Sequence, residues 1–378
     1  MGRNKNNPFV AALIGILLIP GSVCLQAWNE YRTVHRTRGL KEAGKVVENI
    51  TNPSVLEEQL DGKLVHLSGA ALTEEVLKDG KFGIAGNGIA LRRRVQMYQW
   101  KEEKDTENDR TTYRYQRVWK GGRIDSDRFE NRGHDNPKPA FDSWHKVADH
   151  VMIGEYEISP ALKQQKDDSQ SLKFNLGAVK ETIGDPFASK LSDAGRYLYY
   201  ADGGGTSSSP EIGDLQIEFV LVPNGPVSLM AGLSGNTFAS FSTSNGEPIE
   251  RLFPGTLTAG QIIDKLKSEN QMLSWILRGV GFALCLAGVT MIFAPAQALF
   301  RWIPLVGDIT GGLIFVVGLL VAGTLSLVTI SISWIVVRPV LGIALLLVAG
   351  GLVYLLARTR RRVQNSRTHD NASDGIAE

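Results

Sequence analysis

Residues that could perform chemistry are scattered along the 378-residue chain and do not form a known motif. The histidines, which could bind a metal or act as general bases, are His35, His66, His134, His145, His150 and His369. His145 and His150 could meet through folding, but the sequence has no zinc-type His/Cys spacing and no His-Glu-x-x-His motif. We therefore predict no metal site and no cofactor.

A partial glycine motif lies in GIAGNGIAL, residues Gly83 to Leu91. It contains Gly-x-Gly but lacks the third glycine of a dinucleotide site. A strand pattern follows it, where such a site needs a helix N-terminus. We interpret the segment as a turn. The sequence also lacks a P-loop and a Gly-x-Ser-x-Gly nucleophile motif.

Loop carboxylates leave one catalytic alternative open. GHDNP, Gly133 to Pro137, and EIGD, Glu211 to Asp214, are the best candidates for acid–base chemistry, although turn formation is the more frequent role of such loops. We predict no catalytic residues and no enzymatic activity. An enzyme that acts on lipid or glycan through paired carboxylates is the alternative.

Three consecutive arginines, Arg92 to Arg94, lie in the segment GNGIALRRRVQMYQW. Apolar residues at 89, 91, 95 and 97 alternate with polar or aromatic ones at 92, 94, 96, 98 and 100, which is typical of a half-buried strand. Arg93 is then the exception on the apolar face. The polar segment Asp105 to Arg110 follows, and Tyr113, Tyr115 and Trp119 alternate beyond it, so a β-hairpin is predicted with Arg92 and Arg94 on its solvated face.

Further short alternating runs predict a mainly β domain around this hairpin. They are LVHLSG from Leu64, YLYY from Tyr197, LQIEFVLV from Leu215, VSLMAGL from Val227 and TFASFST from Thr237. The run from Leu64 to Val95 resembles the run from Tyr197 to Val220, since each has a short strand, a loop and a longer strand. We therefore expect a duplicated, two-lobed β unit.

Charge is segregated along the chain in the way that is typical of multi-pass membrane proteins. Overall, 41 basic and 39 acidic residues nearly balance, which does not suggest a binder of polyanions. Between Gly279 and Leu356 only Arg301, Asp308 and Arg338 are charged. Four apolar runs are long enough for a transmembrane helix, which requires about 20 residues to cross a bilayer.

These patterns predict an α+β membrane protein with four transmembrane helices and a large, mainly β extracytoplasmic domain between helices 1 and 2. The predicted segments are a cytoplasmic N-terminus (1–8), helix 1 (9–27), the extracytoplasmic or lumenal domain (28–273), helix 2 (274–294), a cytoplasmic elbow (295–308), helix 3 (309–332), a short outer loop (333–339), helix 4 (340–357) and a basic cytoplasmic tail (358–378). Cys24 and Cys285 both lie in predicted spans, so the soluble part has no disulfide framework.

The orientation follows from the basic tail. Five arginines after Ala357 place that end in the cytoplasm, although Arg32, Arg36, Arg38 and Lys41 after helix 1 favour the opposite orientation. Thr258 and Gln261 have the spacing of a capping box, which predicts a helix that enters the second span without a break. Arg278 and Arg338 are expected to extend towards lipid headgroups. The small residues of the second span, Gly279, Gly281, Ala283, Ala287 and Gly288, predict close helix packing.

Several motifs in order resemble one known family. WNEYRTVHRTRGLKEA after the first span, KLVHLSGA, FGI followed by ALRRRVQMYQW, IDSDRF with GHDNP, EIGDLQIEF, and the run from Trp275 to Arg278 are similar to the transmembrane protein 43 family, also called LUMA. The resemblance implies four membrane helices around a large lumenal domain. Animal members are described as proteins of the endoplasmic reticulum and inner nuclear membrane that self-associate and organise complexes, including lamins and emerin. The resemblance implies no catalytic residues.

The function predicted from these observations is a non-enzymatic membrane scaffold that self-associates and organises protein complexes or envelope structure. Its predicted partners are the lipid bilayer, further copies of itself and other membrane or envelope proteins, with no nucleic acid. The expected location is the plasma (inner) membrane in a bacterium, or the endoplasmic reticulum and inner nuclear membrane in a eukaryote. A sensor that couples an outer ligand-binding domain to the membrane helices is a further alternative.

Overall fold

The computed structural model describes residues 8–107, 110–296 and 306–335, together with 343–344, 346–351 and 354. The chain divides into two compact units. A helical unit comprises residues up to Lys41 and from Asp264 onwards, and a β unit comprises Glu42–Ile263.

Three of the helices are long and apolar enough to cross a membrane. The described helices are α1 (Pro8–Val46), α2 (Pro160–Lys163), α3 (Leu176–Ile183), α4 (Ala259–Ile292) and α5 (Val306–Ile335). The long ones are α1, α4 and α5, which coincide with the first three predicted spans. The N-terminal residues, most of the elbow, most of the outer loop with Arg338, half of the fourth span and the basic tail lie outside the described residues.

Helix α1 extends well beyond the predicted end of the first span at Ala27 and continues to Val46. The helix therefore continues past residue 28, where the soluble domain is predicted to start, and that predicted boundary stays a prediction. Hydropathy marks where an apolar stretch ends, whereas the arginines and lysines that follow are good helix formers and continue the same helix.

The predicted unbroken entry into the second span is confirmed, since α4 runs from Ala259 to Ile292. Its start has the predicted capping box. The Thr258 amide donates to Gln261 Oε1 at 2.9 Å, and the Gln261 amide donates to Thr258 Oγ1 at 3.3 Å. Two backbone N–H groups at the helix start thereby gain partners.

The β unit consists mainly of short strands, as predicted. They are β1 (Glu48–Ile50), β2 (Leu64–Ala71), β3 (Val76–Asp79), β4 (Ile84–Asn87), β5 (Ala90–Glu107), β6 (Arg110–Gly121), β7 (Trp144–Val147), β8 (Met152–Ile153), β9 (Tyr156–Glu157), β10 (Gln170–Ser171), β11 (Leu191–Ala194), β12 (Tyr197–Tyr200), β13 (Leu215–Val222), β14 (Gly225–Ser234), β15 (Thr237–Ala239), β16 (Phe241–Ser242), β17 (Pro248–Ile249) and β18 (Arg251–Pro254).

Two seven-stranded sheets and two small hairpins account for these strands. The first sheet has the order β1-β2-β14-β15-β9-β8, with β18 paired to β14. The second has the order β11-β12-β13-β5-β6, with β10 on β13 and β7 on β5. The predicted hairpin is confirmed, because β5 and β6 pair antiparallel from Gln96↔Gly121 to Glu107↔Arg110.

The buried apolar side chains form two clusters, and the first of them draws on both sheets, with Leu67 of β2 and Leu91 of β5 among its members. One cluster includes Leu67, Leu229 and Tyr156, and the other includes Phe82 and Phe219. Burial of these side chains supplies the main driving force for folding of the β unit.

Strand pairing does not reproduce the predicted internal repeat. In the first proposed copy, β2 and β5 lie in different sheets. The β3–β4 hairpin lies between them in the chain. In the second copy, β12 and β13 are direct neighbours in one sheet. The unit has two sheets, but these two segments are not structural duplicates.

Candidate functional site: a polar seam between the long helices

Asp214, one of the loop carboxylates considered for catalysis, forms several hydrogen bonds within the β unit. Asp214 of EIGD is fully buried and accepts hydrogen bonds from the Tyr199 hydroxyl at 2.5 Å and from the amides of Gly203 and Glu211, both at 2.8 Å. Burial, together with this bond to Asp214, raises the pKa of Tyr199. Asp214 therefore fixes a turn, which agrees with the structural interpretation of this loop.

The GHDNP loop is held to the hairpin in a similar way. Asn136 accepts from the Trp100 amide at 2.7 Å and donates to the carbonyls of Trp100 and Ile124. The His134 ring stacks on Tyr115 with 3.7 Å between ring centroids. These contacts fasten the loop to β5 and β6.

His145 and His150, which could have met through folding, have different neighbours. His150 Nδ1 lies 3.0 Å from Glu157 Oε1, whereas His145 lies on β7 opposite Arg92. Within the described residues, no group of three or more His, Cys, Asp or Glu side chains could hold a metal ion.

The triple arginine is part of strand β5, as predicted, and its three side chains have different surroundings. Arg93 is buried, and its Nη1 donates to Asp79 Oδ2 at 2.6 Å. Its guanidinium also lies 5.0 Å from the centroid of the Phe82 ring. Arg92 is half-buried and Arg94 is exposed, which is consistent with the predicted solvated face. The exception in the alternating pattern is thus a buried ion pair.

In the described part of the helical unit, a set of buried and half-buried polar side chains lies between α1 and α4. We call it the polar seam, and it consists of Gln26, Asn29, Glu30, Thr33 and Thr37 on α1 and Asn270, Ser274 and Arg278 on α4. The α4 residues recur every four positions. On α1, Gln26, Glu30, Thr33 and Thr37 recur every three or four positions, and Asn29 is next to Glu30. This spacing places each set on one helix face.

A bidentate ion pair forms the strongest contact of the seam. Arg278 donates from Nε to Glu30 Oε1 at 2.5 Å and from Nη2 to Glu30 Oε2 at 2.8 Å. The Glu30 side chain is 0% exposed and that of Arg278 is 9% exposed. The Arg278 guanidinium also lies 4.8 Å from the ring centroid of Trp275. The expectation that Arg278 extends towards headgroups is therefore wrong, because a buried carboxylate on the neighbouring helix holds it.

Amide side chains continue the seam on one side of this pair. Asn29 Nδ2 donates to the carbonyl of Ser274 at 3.1 Å and to its hydroxyl at 3.3 Å. Asn270 Nδ2 donates to the Thr33 carbonyl at 3.0 Å and to the Thr37 hydroxyl at 3.3 Å. Asn29 contacts Ser274, whereas Thr33, later on α1, contacts Asn270, which is earlier on α4. The two helices are therefore antiparallel, and these polar bonds fix their register.

Glycines bring the same helices close on the other side of the ion pair. A Cβ atom on Gly15 would lie 2.5 Å from the Gly288 carbonyl oxygen, and one on Gly281 would lie 2.5 Å from Gln26 Cγ. The predicted close packing is thus confirmed at Gly281 and Gly288, whereas it is wrong at Gly279, since a Cβ atom there would meet nothing within 4 Å among the described residues. Gln26 also donates to Ser326 Oγ on α5 at 3.0 Å, which links the third long helix to the seam.

Sequence reasoning missed the seam as a site. A signal was present, because polar residues recur at helical spacing after the first apolar run and Arg278 is the one charge at the start of the second. The missing information was the partner, since Glu30 and Arg278 are 248 residues apart in the chain.

Three long apolar helices joined by a polar seam, together with a two-sheet β unit, define an integral membrane protein. The chain belongs to the transmembrane protein 43 family, whose model matches residues 97–339. The transmembrane protein 43 homolog of Drosophila melanogaster is 34% identical over 362 residues, which cover 91% of this chain and 93% of the relative. Transmembrane protein 43 of Homo sapiens is 28% identical over 368 residues, covering 92% and 89%. No solved structure gives a significant match.

Proposed function

We propose that this protein is a non-enzymatic membrane scaffold that self-associates and organises other membrane or envelope proteins. The observation that carries the proposal is the polar seam. Its bonds fix the register of α1 against α4 and leave the outward faces of both helices preorganised. A preorganised surface loses less conformational entropy when it binds another helix.

Several outward glycines support a role in helix association. A Cβ atom on Gly21, Gly279 or Gly312 would meet nothing within 4 Å, so these small residues are not used for packing inside the described protomer. Small residues on a membrane helix allow a second helix to approach closely. Exposed apolar side chains surround them, including Leu17 on α1 and Ile276 on α4.

Three buried carboxylates of the β unit support the non-enzymatic part of the proposal. Asp79 pairs with Arg93, Asp214 holds a turn, and Glu218 accepts from Ser171 at 2.5 Å and from Arg196 at 2.6 Å. Although burial raises the pKa of Glu218, the bonds from Ser171 and Arg196 lower it overall. A carboxylate kept ionised by such partners is poorly suited to act as a general acid.

We place the β unit on the extracytoplasmic side, which is the lumen in a eukaryote, and the basic tail in the cytoplasm. The arginines between Arg358 and Arg367 support this orientation through the positive-inside rule. The corresponding membranes are the endoplasmic reticulum and inner nuclear membrane of a eukaryote, or the inner membrane of a bacterium.

Co-purification of two differently tagged copies tests self-association. Tagged copies expressed together should co-purify in mild detergent, whereas copies mixed after solubilisation show how much exchange contributes. Gly279→Leu should lower the yield because its side chain would block close approach of a second helix, and Gly279→Ala should lower it less. Recovery of only one tag from cells expressing both would contradict the proposal.

A further inference from the structure

A cavity of about 410 Å³ opens beside the triple arginine in the β unit. It is lined by Arg92, Arg93, Arg94, Ser143, Trp144, His145, Val147 and Gln164. None of these lining residues is acidic. Ligand pockets have typical volumes of roughly 300 to 1,000 Å³, so this cavity has the size for a small molecule or a headgroup.

The lining arginines differ in how far their charge is already neutralised. Arg93 is committed to its buried pair with Asp79. The Arg92 side chain has no hydrogen-bond or ion-pair partner among the residues that the structure describes. Arg94 Nη1 lies 3.8 Å from Glu218 Oε2, and that carboxylate also binds Arg196 at 2.6 Å. Arg92 and Arg94 therefore leave the cavity with an excess of positive charge.

The strand register places these cations beside further donors. Arg92 and Arg94 are two residues apart on β5, so they project from the same face of the sheet. His145 is the cross-strand neighbour of Arg92 on β7. Ser143 Oγ accepts from the Val95 amide at 3.0 Å, which leaves its hydroxyl hydrogen able to donate.

Guanidinium groups bind phosphate through paired N–H donors, and a hydroxyl or an imidazole can donate to the remaining oxygens. Trp144 and Val147 give the cavity an apolar wall that could contact the carbon part of a ligand. The cavity has several donors, no carboxylate among its lining residues and a limited volume. These properties match a phosphorylated small molecule better than a polymer.

We infer that the cavity binds a phosphate monoester or diphosphate group through Arg92 and Arg94. The group could belong to a soluble phosphorylated molecule or to the headgroup of an anionic lipid, and the recognition chemistry is the same for both. This site is independent of the scaffold function, since it lies wholly within the β unit.

Isothermal titration calorimetry on the full chain in phosphatidylcholine nanodiscs tests the inference with inorganic pyrophosphate. Arg92→Gln should weaken binding about tenfold or more, because the ligand would lose the charge-assisted hydrogen bonds of one guanidinium group. Arg94→Gln should also weaken pyrophosphate binding. Because Arg94 is exposed, this second variant should fold even if Arg92→Gln does not. Arg114→Gln removes the same charge from an exposed position on β6 outside the cavity and should leave binding unchanged.

Two further probes distinguish the sources of the phosphate. Glycerol 3-phosphate represents the soluble class, and dioctanoyl phosphatidic acid represents the lipid class. If phosphatidic acid binds more tightly than glycerol 3-phosphate, the ligand is a lipid headgroup. If the two probes bind equally, the ligand is a free phosphate ester. The inference is overturned if none of the three probes binds the wild-type protein, or if Arg114→Gln weakens binding as much as Arg92→Gln.

Discussion

Glu30 and Arg278 face each other across the two longest helices, joined by hydrogen bonds of 2.5 and 2.8 Å in a setting that excludes water from the Glu30 side chain. Loss of one partner would leave a buried charge without compensation, which typically costs about 3–5 kcal/mol. The pair therefore makes the register of α1 and α4 sensitive to single substitutions.

Glu30→Gln should lower the thermal unfolding temperature of the purified protein markedly, since Arg278 would lose its ionic partner. Asp264→Asn is the matched control, because Asp264 forms an exposed pair with Lys267 and such pairs contribute roughly 0–1 kcal/mol. Intrinsic fluorescence during heating in detergent measures both variants. Equal unfolding temperatures for the two would show that the buried pair does not hold the helices.

Gly15→Ala should destabilise the helical unit, because the new Cβ would lie 2.5 Å from a backbone oxygen of Gly288 and the helices would have to separate. Overpacking of this kind costs about 1–3 kcal/mol. Gly279→Ala adds the same methyl group to a helix position with open space and should be neutral or slightly stabilising. If thermal unfolding ranked the two variants the other way, the described helix contact would be wrong.

The β unit should become less stable as the pH falls below about 6.5, the usual pKa of an unfolded histidine. Burial lowers the pKa of His66, although its bond to the Leu257 carbonyl opposes this in part. The unfolded chain then binds the proton more readily than the folded one, so the stabilisation is present above this pH and is lost below it. Urea unfolding at pH 7.5 and 5.5 measures the difference, and His66→Gln should reduce it. An unchanged pH dependence in that variant would assign the effect to other groups.

The orientation can be measured with single cysteines in a Cys24→Ala, Cys285→Ala background. Ser208→Cys lies on an exposed loop of the β unit and should react with an impermeant maleimide from the extracytoplasmic side. In a eukaryotic cell, that reaction should require opening of the endoplasmic reticulum, whereas Ser373→Cys in the tail should react from the cytoplasm. The inverse labelling pattern would reverse the proposed topology.

Local patterns carried enough information to predict the hairpin, the capping box and the unbroken start of α4, because each depends on residues close in sequence. Local patterns did not predict the surroundings of a side chain whose partner is distant in sequence. An arginine on an apolar strand face looks anomalous until Asp79 is placed beside it, and Arg278 looks exposed until Glu30 is. The length of α1 was missed for a different reason, since loss of hydropathy after Ala27 does not end a helix.

Self-association is the central claim, and native mass spectrometry of the protein released from nanodiscs at high protein concentration tests it most directly. We expect the wild-type protein and Asp264→Asn to give masses of two or more copies. Glu30→Gln should shift the distribution towards one copy, because the helix surfaces would no longer be held in register. A wild-type protein that remains strictly monomeric at the highest concentration would contradict the account.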